Sequence, residues 1–85
     1  MMTKTDFSRL ARGEKYILLC DLGKHLANRK HSGFIVSLFE FEGFYVEVWK
    51  RVGLDYVDYI EVINDNSILE QYLDDLDLGT DLGLI

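Results

Sequence analysis

Residues 34–49 read FIVSLFEF, then Glu42-Gly43, then FYVEVW, and this stretch limits the fold more than any other part of the chain. Both runs are dense in β-branched and aromatic residues, and Ser32-Gly33 and Gly43 bound them, which is the pattern of strands. A two-residue connection leaves room only for a tight antiparallel hairpin. Its register follows: Phe41 opposes Phe44, Phe39 opposes Val46 and Ser37 opposes Val48. Side chains alternate across a strand, so one face carries Ile35, Ser37, Phe39, Phe41, Phe44, Val46 and Val48. The other carries Phe34, Val36, Leu38, Glu40, Tyr45, Glu47 and Trp49. The first is the better core. A loop longer or shorter by one residue would exchange the sets.

The flanking segments supply the remaining elements. Phe7, Leu10 and Ala11 recur at helical spacing, and Tyr16, Ile17, Leu19 and Cys20 continue an apolar side, so residues 7–22 read as one helix. Thr5 or Asp6 can cap its start, Gly13 is the place for a bend, and Gly23 followed by Lys24 ends it. Residues 24–31, KHLANRKH, fit a basic edge strand or a further helical turn, and Gly23 favours the strand. Residues 51–55 turn around Gly53, and 56–63 form another strand. On it Asp58, Ile60 and Val62 share one face, and Val57, Tyr59, Glu61 and Ile63 share the other. Ser67 with Glu70 forms a capping box for a C-terminal helix whose stripe is Ile68, Leu69, Tyr72, Leu73 and Leu76. The expected fold class is α+β: a helix, a three- to four-stranded antiparallel sheet and a C-terminal helix, with the helices on one sheet face. At 85 residues, 48% apolar, the chain suits a single domain over 1–85 with one small core and a loose tail over 79–85.

Several function classes drop out. One cysteine, Cys20, rules out an intramolecular disulfide and a multi-thiolate zinc site. The polar N-terminus does not read as a signal peptide, and the longest apolar run, Tyr16 to Cys20, is far short of the roughly 20 residues of a membrane span. A cytoplasmic protein is the expectation. Charge divides unevenly: residues 1–33 carry seven Lys or Arg against three acids, and 34–85 carry two against twelve. The plain reading is internal complementarity. The sharper one is that the basic third docks on an acidic partner. An acidic chain, net −6, without interleaved basic and aromatic residues is a poor nucleic-acid binder.

The segment LGKHLANRK at 22–30, the hairpin GFYVEVW at 43–49 and the closing YLDDLDL at 72–78 resemble a family of small uncharacterised bacterial proteins, mostly from Bacteroidetes, marked by a GF[FY]VEVW hairpin and a YLDxxDL tail. The resemblance covers about two thirds of the chain, from Leu22 to Leu78. It implies a bacterial, cytoplasmic α+β domain and carries no functional residues across. The turn around Gly53 departs from the family's Asp, Asn and Lys turns.

No catalytic signature frames the reactive side chains. Cys20, His25 and His31 are the soft ligands, and their spacing matches no zinc pattern, so no metal is expected. No serine stands in a nucleophile elbow. Asp75-x-Asp77-x-Gly79-x-Asp81 resembles a fragment of a calcium loop without its closing glutamate. Phosphate-loop and dinucleotide fingerprints are absent, and no cofactor is expected. What stands out is an aromatic-acidic face. Tyr45 and Trp49 flank Glu47, Val36 and Leu38 lie opposite, and Tyr59 lies beside them. If the helices cover only the other face, these six residues form a contact surface for a protein partner or for a second copy in a homodimer. The alternative is a small-ligand binding protein or minimal enzyme with an acidic-aromatic pocket, using Glu40 or Glu47 as the polar group and Trp49 or Tyr45 as the wall. No catalytic residue, nucleic-acid partner or membrane contact is expected.

Overall fold

The computed structural model describes residues 2–54 and 56–72. Two helices, α1 (Lys4–Ser8) and α2 (Arg12–Leu22), precede four strands, β1 (Lys24–His31), β2 (Phe34–Phe41), β3 (Phe44–Arg51) and β4 (Val57–Val62). A 3-10 helix over Asn66–Tyr72 follows. The strands form one antiparallel sheet in the order β1-β2-β3-β4, so each pairs with its neighbour in sequence. The α+β class and the antiparallel sheet are as expected, and residues 24–31 join the sheet as an edge strand.

Both tight hairpins are two-residue turns with positive φ at both positions: Ser32 (44°) with Gly33 (86°), and Glu42 (52°) with Gly43 (84°). This backbone matches the right-handed twist of the strands it joins. The β2–β3 register is the expected one, with Phe41 opposite Phe44, Phe39 opposite Val46 and Ser37 opposite Val48.

The expected helix over 7–22 is instead two helices. Thr3 Oγ1 accepts from the Asp6 amide at 3.1 Å and starts α1 ahead of Phe7. The chain then straightens at Ala11, whose amide donates to Glu14 Oε1 at 3.0 Å. In an unbroken helix Phe7 and Leu19 would point about 120° apart. The break turns both inward, and both are fully buried. Phe7 meets Phe41 and Phe44 at ring distances of 5.4 and 5.8 Å. Gly13 is therefore not the bend. Of the apolar side expected over 7–22, Phe7 and Leu19 are buried, while Tyr16, Ile17 and Cys20 are exposed. α2 ends at Gly23, whose amide donates to the Leu19 carbonyl oxygen at 2.9 Å in a close approach that a Cβ, 2.7 Å from that oxygen, would block.

The α1–α2 side of the sheet holds Phe7, Leu19, Phe41, Phe44, Val46, Val48 and Ile60. This is the face expected to be core, although Ile35 lies exposed at its far end. Helices on one face only is not the arrangement of the described residues. Tyr72, Ile68 and Leu69 of the 3-10 helix pack with Ala27, Leu38, Tyr45 and Ile63 on the opposite face. The start of this segment is also held differently from the expected capping box. Asp65 Oδ1, not Ser67, accepts at the turn, taking the Ser67 amide at 2.9 Å. Leu73, Leu76 and the tail lie outside the described residues.

Two bulges reset which side chains share a face. In β1, His25 pairs with Phe39 and Ala27 with Leu38, so Leu26 is the extra residue. In β4, Trp49 pairs with Tyr59 and Lys50 with Val57, so Asp58 is extra. Val57 thereby joins Ile60 and Val62 on the α1–α2 side, away from Tyr59, rather than sharing Tyr59's face as expected.

Candidate functional site

Glu47 is the reference point of the second face. β3 presents Tyr45, Glu47 and Trp49 there, opposite Glu40, Leu38 and Val36 of β2. The β1 bulge matters next. Strict alternation from His25 would bring Asn28 and Lys30 to this face; the extra residue brings Ala27, Arg29 and His31 instead. A guanidinium thus reaches the carboxylate across two strands.

The carboxylate is 2% exposed. Its Oε2 accepts from Arg29 Nε at 3.2 Å, from Arg29 Nη2 at 3.1 Å and from the Tyr72 hydroxyl at 2.5 Å. The Arg29 guanidinium lies 5.3 Å from the Trp49 ring and 5.5 Å from the Tyr72 ring. Burial pulls the Arg29 pKa down, and its interactions with Tyr72 and with the Glu47 carboxylate outweigh that and raise it. The Tyr72 phenol is pushed well above its usual range, first by burial and then by the bond to Glu47. At neutral pH the group is therefore a charged arginine with a phenol that keeps its proton and donates it. A buried charge without such partners would be costly. The arrangement ties β1, β3 and the 3-10 helix together.

Beside it lies an aromatic cluster. Trp49 stacks on Tyr59 with centroids 5.0 Å apart and planes at 17°. Phe34 and His31 meet the indole edge-on at 5.4 and 5.5 Å. Arg51 sits 4.8 Å above the Phe34 ring. Trp49 is 8% exposed, and its buried Nε1 has no hydrogen-bond partner among the described residues. Tyr59 remains 39% exposed.

All six residues expected on the contact face share it. Val36, Leu38, Glu47 and Trp49 are buried, Tyr45 is half-buried and Tyr59 alone is exposed. An open face with Glu47 displayed between two aromatics is not what the side chains make, because Arg29 and the 3-10 helix cover it. Sequence reasoning placed Phe34 on this face but left it, Arg29, Tyr72 and His31 out of the contact set. One signal pointed to Arg29 and Tyr72: a glutamate between core aromatics needs a cation and a donor, and a tyrosine in an apolar stripe has a hydroxyl to satisfy. Two cavities, of about 360 and about 440 Å³, have neither Glu47, Tyr45 nor Trp49 in their walls. Among the described residues no three His, Cys, Asp or Glu side chains converge as metal ligands, and no helix is long and apolar enough to cross a membrane.

Compared with family models, with curated proteins and with solved structures, the chain matches none. The site must therefore be read from its own geometry.

Proposed function

We propose that this chain is a non-enzymatic protein-interaction module, cytoplasmic in location, that associates with a second copy of itself through the Tyr59 end of the second face. The observation that carries the reading is the exposed Tyr59 ring lying flat on a buried Trp49. The indole and Phe34 hold that ring in place, so little side-chain freedom would be lost on contact. Tyrosine and tryptophan are favoured interface anchors for this reason. The closed Arg29–Glu47–Tyr72 group stiffens the platform and offers no exposed acid or base, which argues against the minimal-enzyme alternative.

The test is the solution mass by size exclusion with light scattering, at low and high salt. The expected result is twice the 9.9 kDa chain mass, retained at high salt because the contact is apolar. Tyr59→Ala should return a folded monomer, with a thermal midpoint lowered by the lost stacking on Trp49 and the lost self-association. A monomer in the unaltered chain, or a dimer that survives Tyr59→Ala, overturns the proposal.

A further inference from the structure

A separate cavity of about 360 Å³ opens on the α1–α2 side, where the start of α2 meets the β3–β4 turn. Arg12, Gly13, Tyr16, Lys50, Tyr56 and Val57 line it. Its size lies in the range of small-molecule sites, and it mixes apolar walls with a few charged groups as such sites do.

Arg12 sets its chemistry. Arg12 Nη1 donates to the Asp58 carbonyl oxygen at 2.8 Å, which holds the side chain in place through a neutral acceptor. Among the described residues no carboxylate pairs with it. Two acids of the same region are committed to other groups. The Asp58 carboxylate takes Arg51 Nη2 at 2.9 Å, and Glu14 Oε1 takes the Ala11 amide at 3.0 Å. Lys50 adds a second cation to the wall. Lys50 and Tyr16 make further interactions within the protein, so the site rests on Arg12 for its charge. The rings come from Tyr16, 37% exposed, and Tyr56, 48% exposed. Two large aromatic side chains left at the rim of one concavity, with Val57 between strand and cavity, suit a flat apolar group.

We propose that this cavity binds a small aromatic anion, with the ring against the exposed Tyr56 beside Tyr16 and a phosphate or carboxylate on Arg12. A planar guanidinium suits either oxyanion. The site is on the opposite side of the sheet from the Trp49–Tyr59 platform and does not depend on self-association.

The test is an amide NMR titration of the full chain with phenyl phosphate, benzoate, inorganic phosphate and benzyl alcohol. At least one of the two aromatic anions should saturate with a Kd of about 1 mM or tighter, shifting the amides of Gly13, Tyr16, Tyr56 and Val57. Which of the two binds more tightly identifies the oxyanion. Inorganic phosphate and benzyl alcohol should each be weaker by about tenfold or more, since each offers one half of the ligand. Arg12→Ala should weaken the aromatic anion by about tenfold or more. Because Arg12 also anchors α2 to β4, Tyr56→Ala serves as a second variant, its side chain lying on the surface. It should reduce the aromatic anion to the level of inorganic phosphate and leave inorganic phosphate itself unchanged. Non-saturating shifts for both aromatic anions, inorganic phosphate binding as tightly as phenyl phosphate, or a Tyr56→Ala variant with undiminished binding would each overturn the proposal.

Discussion

Glu47 shows how one buried carboxylate organises its neighbours. Its Oε2 takes three donors, and two of them come from one guanidinium whose own surroundings are aromatic rings. Removing one partner leaves an uncompensated charge, which costs far more than the pair is worth. Arg29→Ala is therefore expected to lower the unfolding free energy by about 3–5 kcal/mol in urea. The triple change Arg29→Met, Glu47→Leu and Tyr72→Phe should recover most of that loss, because an apolar set needs no partner. The phenol makes a second prediction. Burial first, and the Glu47 bond second, raise its pKa above the ordinary 10.0. The unfolded chain then loses this proton before the folded one does. The contribution is fully present below about pH 10 and declines as pH rises toward the folded value. Comparing urea midpoints at about pH 9 and about pH 11, Tyr72→Phe should show a smaller alkaline fall than the unaltered chain. At this scale the sequence displayed the acid, the arginine and the tyrosine but not their meeting, and Arg29 reaches Glu47 only through a bulge in β1.

At the scale of elements, strands and turns were legible where local chemistry dominates. The β2–β3 register follows from alternation and a two-residue turn, and the structure has it residue for residue. Glu42 is the weak point of that turn, with φ at 52° in the region that favours glycine or asparagine. Glu42→Asn should raise stability by about 0.5–1 kcal/mol, measured by thermal unfolding, with the register unchanged in amide spectra. The helices were less legible. Periodicity over 7–22 is compatible with one helix, and the break at Ala11 exists because Phe7 and Leu19 must both enter the same core. The bulges at Leu26 and Asp58 left no local mark, since a bulge is chosen by the partner strand and by what the face must bury.

For the whole molecule, the sheet carries an apolar cluster on each side, one closed by α1 and α2 and the other by the 3-10 helix. A chain shortened to end at Asn64 loses Tyr72, Ile68 and Leu69 and uncovers Leu38 and Glu47. Its thermal midpoint should fall by at least about 10 °C, and it should bind a hydrophobic dye that the full chain does not. An unchanged midpoint would show that the second cluster contributes little. The uneven charge also resolves at this scale. Arg29 of the basic third meets Glu47 of the acidic remainder at 3.1 Å, and Arg12 reaches the Asp58 carbonyl at 2.8 Å. The Arg29–Glu47 pair thus accounts for part of the asymmetry, while Arg12 pairs with no carboxylate among the described residues.

Alternation, turn chemistry and glycine placement determined the sheet, its hairpin register and which β2 and β3 residues share the Trp49 face, because these depend on neighbours within a few positions. Tertiary structure alone decided that this face is covered, that Arg29 rather than Lys30 meets Glu47, and that Tyr59 stays exposed while Trp49 does not. Those outcomes turn on one extra residue in an edge strand and on the segment that closes the far side of the sheet. Neither leaves a periodic trace, since each is selected by long-range burial and by the cost of an unpaired charge.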